Sequence, residues 1–160
     1  MSFFRKFNYF TAFFLLFLFL CSTTLFAQSK PDFSGVWQQD NAHSVPARFG
    51  EVTLRIAHQD PELSVETTIL RTGRAEQHAV QRYTTDGKPS TSIGADGDSF
   101  VTRIVWNEDA LVFSIVEHED GRTIESSETW SISDQGDTLK RVRRNSKAEG
   151  EQVLLYTLRR

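Results

Sequence analysis

The sequence predicts an all-β fold, an up-and-down antiparallel β-barrel of eight to ten strands, and three observations carry that prediction. All nine glycines lie beyond residue 27, and with the breakers Asp60-Pro61 and Asn107-Glu108-Asp109 they place a turn signal every ~10–15 residues. Between those signals the chain alternates apolar and polar residues with the period of a strand, and no stretch carries a helical stripe of useful length. The connections are uniformly short, which selects a barrel over a Greek-key sandwich with its long crossovers.

The first 27 residues stand apart from this pattern. They hold 9 of the 13 phenylalanines, the single cysteine Cys21 and no acidic residue. A short basic start (Arg5, Lys6) precedes an almost unbroken apolar run from Phe10 to Leu20, and the small residue Ala27 precedes polar Gln28. This is the layout of a secretory signal peptide over residues 1–27, leaving one domain over 28–160 that is periplasmic or secreted. The apolar run is shorter than the ~20 residues that span a bilayer, so no stable membrane span is expected after cleavage. Two other readings stay open, an uncleaved anchor and acylation of Cys21, although bulky Leu18-Phe19-Leu20 argues against the second.

Beyond Ala27 the chain has 16 basic and 21 acidic residues and no cysteine. That excludes a disulfide scaffold, a thiol nucleophile and a cysteine-based metal site. It also argues against nucleic acid as a partner.

In chain order the expected strands are Gly35–Gln39, Val52–His58, Leu63–Leu70, Gln77–Thr84, a weak Pro89–Ile93, Ser99–Trp106, Ala110–His118, Arg122–Ser133, Thr138–Asn145 and Gln152–Arg159. Turns fall at Asp86-Gly87-Lys88, Asp134-Gln135-Gly136-Asp137 and Ala148-Glu149-Gly150-Glu151, where glycine supplies the positive φ that tight turns need. Alternation places Phe100, Ile104 and Trp106 on one face of their strand and Leu111, Phe113 and Ile115 on one face of the next. Ile124, Trp130 and Ile132 share a face with Ser126 and Glu128. If Ile132 pairs with Leu139 across the Asp134–Asp137 turn, Arg141 lies opposite Trp130 and Arg143 opposite Glu128. A one-residue change of register sends both arginines to solvent and turns Val142 inward.

Several strands are apolar on both faces: Val101 and Val105 back the Phe100 face, Val112 and Val116 back the Phe113 face, and Val153 and Leu155 back Leu154 and Tyr156. Such surplus predicts a covered exterior, either by a second copy in a homo-oligomer or by the loop Asn41–Phe49.

Phe33-Ser34-Gly35-Val36-Trp37 resembles the Gly-x-Trp signature of lipocalins and related calycin-type barrels. In that family the tryptophan closes one barrel end and an arginine near the chain end stacks across it, a role the resemblance gives to Arg159 or Arg160. The longer string from Gly35 through Asp40, Ala42 and Ser44 is similar to secreted bacterial lipocalin-like proteins, which open Gly-x-Trp-x-x-Asp-x-Ala-x-Ser. Tyr83-Thr84-Thr85-Asp86-Gly87-Lys88 and Glu128-Thr129-Trp130-Ser131-Ile132-Ser133-Asp134 fit the same group. The Thr-Asp-Tyr motif and disulfide of typical lipocalins are not evident.

Catalytic and metal patterns are weak. His43, His58, His78 and His118 are dispersed, Asp96-Gly97-Asp98 lacks the distal acids of a calcium loop, and there is no nucleophile elbow, phosphate loop or dinucleotide fingerprint. No metal, cofactor or catalytic residue is expected. The barrel interior remains, with Trp37, Tyr83, Phe100, Ile104, Phe113 and Ile115 as candidate lining. Trp130 and Tyr156 extend that lining, and Glu128, Arg141 and Arg143 are its polar anchors. Apolar walls with a few convergent polar groups suit a small apolar or amphipathic ligand, a carboxylate meeting an arginine. The alternative is a packed barrel in which Glu128 and Arg143 satisfy each other, serving as a structural or interaction module.

Overall fold

A computed structural model describes residues 30–47, 50–93, 97–119, 121–146 and 148–160. The expectations for the leader, its cut after Ala27 and Cys21 lie outside the described residues, as do Phe49 and Asp96 of the Asp96-Gly97-Asp98 string.

Ten strands follow one another: β1 (Gly35–Val45), β2 (Glu51–Gln59), β3 (Glu62–Leu70), β4 (Gln77–Thr84) and β5 (Ser90–Ile93), then β6 (Ser99–Asn107), β7 (Ala110–Glu119), β8 (Arg122–Ile132), β9 (Thr138–Asn145) and β10 (Ala148–Leu158). They form a single antiparallel sheet in the order β4-β3-β2-β1-β10-β9-β8-β7-β6-β5, so first and last strands meet in the middle. The sheet curls into a nearly closed barrel. Its seam lies where β4 packs beside β5 and β6, tied by a bridge between Asp86 and Val105 and by the Gly87 N–H donating to Ile104 O at 2.9 Å.

Alternation decides which face turns inward. Val52, Leu54 and Ile56 are the buried positions of β2, and Leu63 and Val65 those of β3. The core is concentrated at the end where the chain enters. Trp37, Leu63, Leu111 and Leu139 all lie within three residues of a strand start there, and Phe33, just before β1, is fully buried among them. Two contacts hold the entering segment in place. Ser34 Oγ donates to His58 O and accepts from His58 N–H, while Trp37 Nε1 donates to Phe33 O at 3.0 Å. The far end is looser: Gln77, Ala79 and Gln81 of β4 are solvent-exposed although alternation with half-buried Tyr83 points them inward.

Two motifs behind the family resemblance have structural tasks. Asp40 accepts from the Ala42 and His43 N–H groups, and Ser44 Oγ donates to Asp40 O at 2.6 Å while accepting from Leu155 N–H. These bonds fix a bulge, because the β1–β10 register shifts between Asp40 and Val45. Asp86 accepts from Thr84 Oγ1 and from the Lys88 N–H, which shapes the corner leading from β4 to the seam.

Three expectations need correction. The predicted cover Asn41–Phe49 is largely strand, since β1 runs to Val45, and the bulge accommodates residues that read as a loop. The turn placed at Ala148–Glu151 lies earlier, at Ser146, and Gly150 (φ 99°) sits where the β9–β10 register shifts. Arg159 and Arg160 are exposed, and Arg159 engages β1 through its backbone N–H on Val36 O. Among the described residues the cation-over-ring pairs are Lys30 on Trp106 and Arg141 on Trp130 and Tyr156. Outward Val101 and Val116 pair across β6–β7, as do Val105 and Val112, and Val105 is exposed.

Candidate functional site

The β8–β9 ladder pairs Ile132 with Leu139, Trp130 with Arg141 and Glu128 with Arg143. The 133–138 turn sets this register: Gly136 N–H donates to Ser133 O, and Ser133 N–H to Thr138 O. Both arginines therefore face inward with Trp130 and Glu128, which are 2% and 4% exposed.

A cavity of about 410 Å³ opens above the packed end of the barrel. Tyr83, Phe100, Phe113, Ile115, Trp130 and the side chains of Glu128, Arg141 and Arg143 all line it. Trp37, Ile104 and Tyr156 do not; each is at most 2% exposed and belongs to the packed core. The cavity floor is aromatic. Phe113 stacks on Trp130 with centroids 4.6 Å apart, and Tyr83 meets Phe113 edge-on at 6.1 Å. Below them Phe33 lies 6.3 Å from Trp130 and 6.0 Å from Trp106, which plugs the barrel end.

The basic partner of Glu128 differs from that of the packed alternative, being Arg141 and not Arg143. Arg141 Nε donates to Glu128 Oε1 at 2.5 Å, Trp130 Nε1 donates to the same oxygen at 2.8 Å, and the guanidinium lies 4.6 Å over the Trp130 ring. Tyr156 OH, 3.4 Å from Arg141 Nη1, adds a further polar contact from the core side. Burial alone would raise the Glu128 carboxyl, but the charge and hydrogen bond of Arg141, with the Trp130 bond, hold it below its usual range. Burial would lower Arg141, but the charge and hydrogen bond of Glu128, together with its other neighbours, raise it. The Tyr83 hydroxyl is pushed up to about 12, first by burial and also by the Glu128 charge, against the pull of Arg141. Tyr83 is a neutral wall group at any physiological pH.

Arg143 is the contrasting case. Its Nε is buried and has no hydrogen-bond partner, so its guanidinium is the one in this cavity that a ligand's acceptor would complete. Gln39, 6% exposed, likewise has both amide atoms buried and unpartnered. It shares the inward face of β1 with Trp37, a period-two relation that the sequence reading passed over. Thr67, Gln81, Ser92, Thr102 and Glu117 also line the cavity and were missed. Thr102 lies between Phe100 and Ile104 in the alternation, and Glu117 continues the Leu111–Ile115 face, so the same period would have found both.

A shallower hollow of about 620 Å³ runs past Ala57, Ser64 and Arg82 on the outer side of β2–β4. Its wall is largely a mixture of exposed and half-buried residues, and it does not contain the charged cluster. Among the described residues no three histidine or acidic side chains converge as a metal site, and no helix is long and apolar enough to cross a membrane.

Solved structures share this architecture. The REP1-NXSQ fatty acid transporter superposes with a TM-score of 0.57 at 12% identity, covering 81% of this chain and 97% of that one. The shared fold is a nearly closed, up-and-down antiparallel β-barrel. Secretory abundant heat soluble protein 4 from Ramazzottius varieornatus superposes with a TM-score of 0.61 at 12% identity, over 84% of this chain and 100% of its own. Fatty-acid-binding protein 1 of Echinococcus granulosus gives 0.57 at 12% identity, over 79% and 96%. No protein-family model and no curated protein sequence matches the chain.

Proposed function

We propose that this protein is an exported, non-catalytic carrier that holds a small hydrophobic or amphipathic molecule, carboxylate-bearing ones included, inside its barrel. The single observation that carries this reading is the cavity of about 410 Å³ lined by the aromatic floor and by Arg143, whose buried Nε lacks a partner. A ligand carboxylate would meet the Arg143 guanidinium, which lines the cavity and has no ion-pair partner among the described residues, while its apolar part rests on Phe113 and Trp130. The barrels it superposes on include proteins named for fatty acid transport and fatty acid binding, which supports the same use of the fold. A filled barrel acting only as an interaction module has less support, because the interior is packed at one end alone.

Two experiments test the reading. An environment-sensitive apolar dye titrated into the purified protein should quench tryptophan emission through Trp130, and small amphipathic carboxylates should displace it. Arg143→Ala should weaken the carboxylates and leave neutral ligands unchanged; absence of any dye uptake overturns the carrier reading. For export, the form recovered outside the cytoplasm should begin at Gln28, and an intact Met1 start there would refute cleavage.

A further inference from the structure

The cavity's own chemistry narrows the occupant, on the premise of the carrier reading above. Three of its four aromatic side chains, Tyr83, Phe113 and Trp130, form a continuous floor, and Phe100 stands on the wall opposite Glu117 in the β6–β7 ladder. Beside Val65, Phe100 and Ile115, the rest of the wall is interrupted by hydrogen-bonding groups, Thr67, Gln81, Ser92, Thr102 and Glu117, from five different strands. A long acyl chain needs a continuous apolar wall along its length, because each methylene contributes only when it leaves water for an apolar surface. Laid against hydroxyls and amides, the same chain strips their water without replacing the hydrogen bonds. The two charges deepest in the site do not help such a ligand either, since Arg141 and Glu128 already neutralise each other. What the floor does match is a flat ring system, which gains from offset or edge-on contact with Phe113 and Trp130. What the wall matches is a ligand with polar edges or retained water. Arg143 remains for one carboxylate.

From this arrangement we infer that the occupant is a compact ring-bearing monocarboxylate of roughly bicyclic size, and that long-chain fatty acids are poor ligands. The ring lies on the Phe113–Trp130 floor, the carboxylate meets Arg143, and the hydroxyl-bearing wall faces ring substituents or water.

Calorimetric titration of the purified protein with 2-naphthoate, 2-acetylnaphthalene and palmitate tests this, with tryptophan emission recorded in parallel. Expected is at least tenfold tighter binding of 2-naphthoate than of palmitate, and at least tenfold tighter than of the neutral 2-acetylnaphthalene. Arg143→Gln should erase the second difference and keep the first. Thr67→Val with Thr102→Val makes the wall apolar and should shift the preference toward palmitate by several-fold. Palmitate binding more tightly than 2-naphthoate overturns the compact-ring inference while leaving a ligand carrier standing. Equal binding of the two naphthalenes overturns the carboxylate assignment. If none of the three probes binds, the carrier reading itself falls.

Discussion

Glu128 and Arg143 stand directly opposite each other in the β8–β9 ladder, yet the Glu128 carboxylate pairs with Arg141, the neighbouring inward side chain. Trp130 explains the choice. Its indole N–H donates to Glu128 Oε1, and its ring face carries the Arg141 guanidinium, so one aromatic side chain orients both members of the pair. The pair is buried, and Arg143 is left as the spare cation.

Removing one member of this pair should be expensive. Glu128→Gln leaves the Arg141 charge without its counter-ion, and urea unfolding should report a loss of about 3–5 kcal/mol. Replacing both together, Glu128→Leu with Arg141→Met, should recover most of that loss. A double variant no more stable than the single one would show that the pair is not the unit of stability.

Arg143 should behave oppositely. Its buried Nε has no partner, so Arg143→Met should change stability by less than about 1 kcal/mol. Arg141→Met, which strands Glu128, should cost about 3–5 kcal/mol in the same assay. Equal losses for the two variants would contradict the division of labour between them.

Phe33 precedes the first strand yet is fully buried against His58, Trp106 and Trp130. Phe33→Ala should lower stability by about 3–5 kcal/mol and shift tryptophan emission to the red as water reaches the plugged end. An unchanged spectrum would mean that the end is closed by other groups.

Acid should weaken the barrel in two separate windows. Burial, opposed by the charges of Asp32 and Asp60, holds His58 below its ordinary value of 6.5. Below that value the unfolded chain takes up a proton that the fold resists, so stability declines as pH falls through about 6.5. Protonation at Nδ1 would also remove the acceptor for the Phe33 N–H, which lies 3.4 Å away. Asp60 is held at about 2 by hydrogen bonds from Thr85, Trp106 and Lys30, against the effect of burial. Its contribution is complete above about pH 4 and lost as pH falls toward 2; allowing for solvent screening it amounts to about 1 kcal/mol. Thermal melts of His58→Gln should lack the first decline, and those of Asp60→Asn should show a smaller second one. Identical profiles for all three proteins would dissociate both residues from acid sensitivity.

The strand positions were legible because turns and alternation are local properties. The sequence left the β8–β9 register between two alternatives, and the 133–138 turn decides for the one that turns Arg141 and Arg143 inward. The bulged half of β1 was not legible, because Asp40, Asn41, His43 and Ser44 look like a loop until side-chain bonds to backbone make them a strand. Polar lining such as Thr67, Gln81 and Ser92 was missed for a related reason. Period-two reading assigns polar residues to the solvent face, and a wet cavity is a second solvent face inside the sheet. The Glu128–Arg141 pairing could not be read from register at all, since a long side chain reaches diagonally past its opposite neighbour.

The seam beside β4 makes the barrel a hoop with a clasp. Everywhere else, widening the wall would break a continuous ladder, whereas between β4 and β6 the named ties are the Asp86–Val105 bridge and the Gly87 bond at one end. Among the described residues no ladder joins β4 to β6 toward Gln77, so a wider interior would cost the fewest hydrogen bonds along that line.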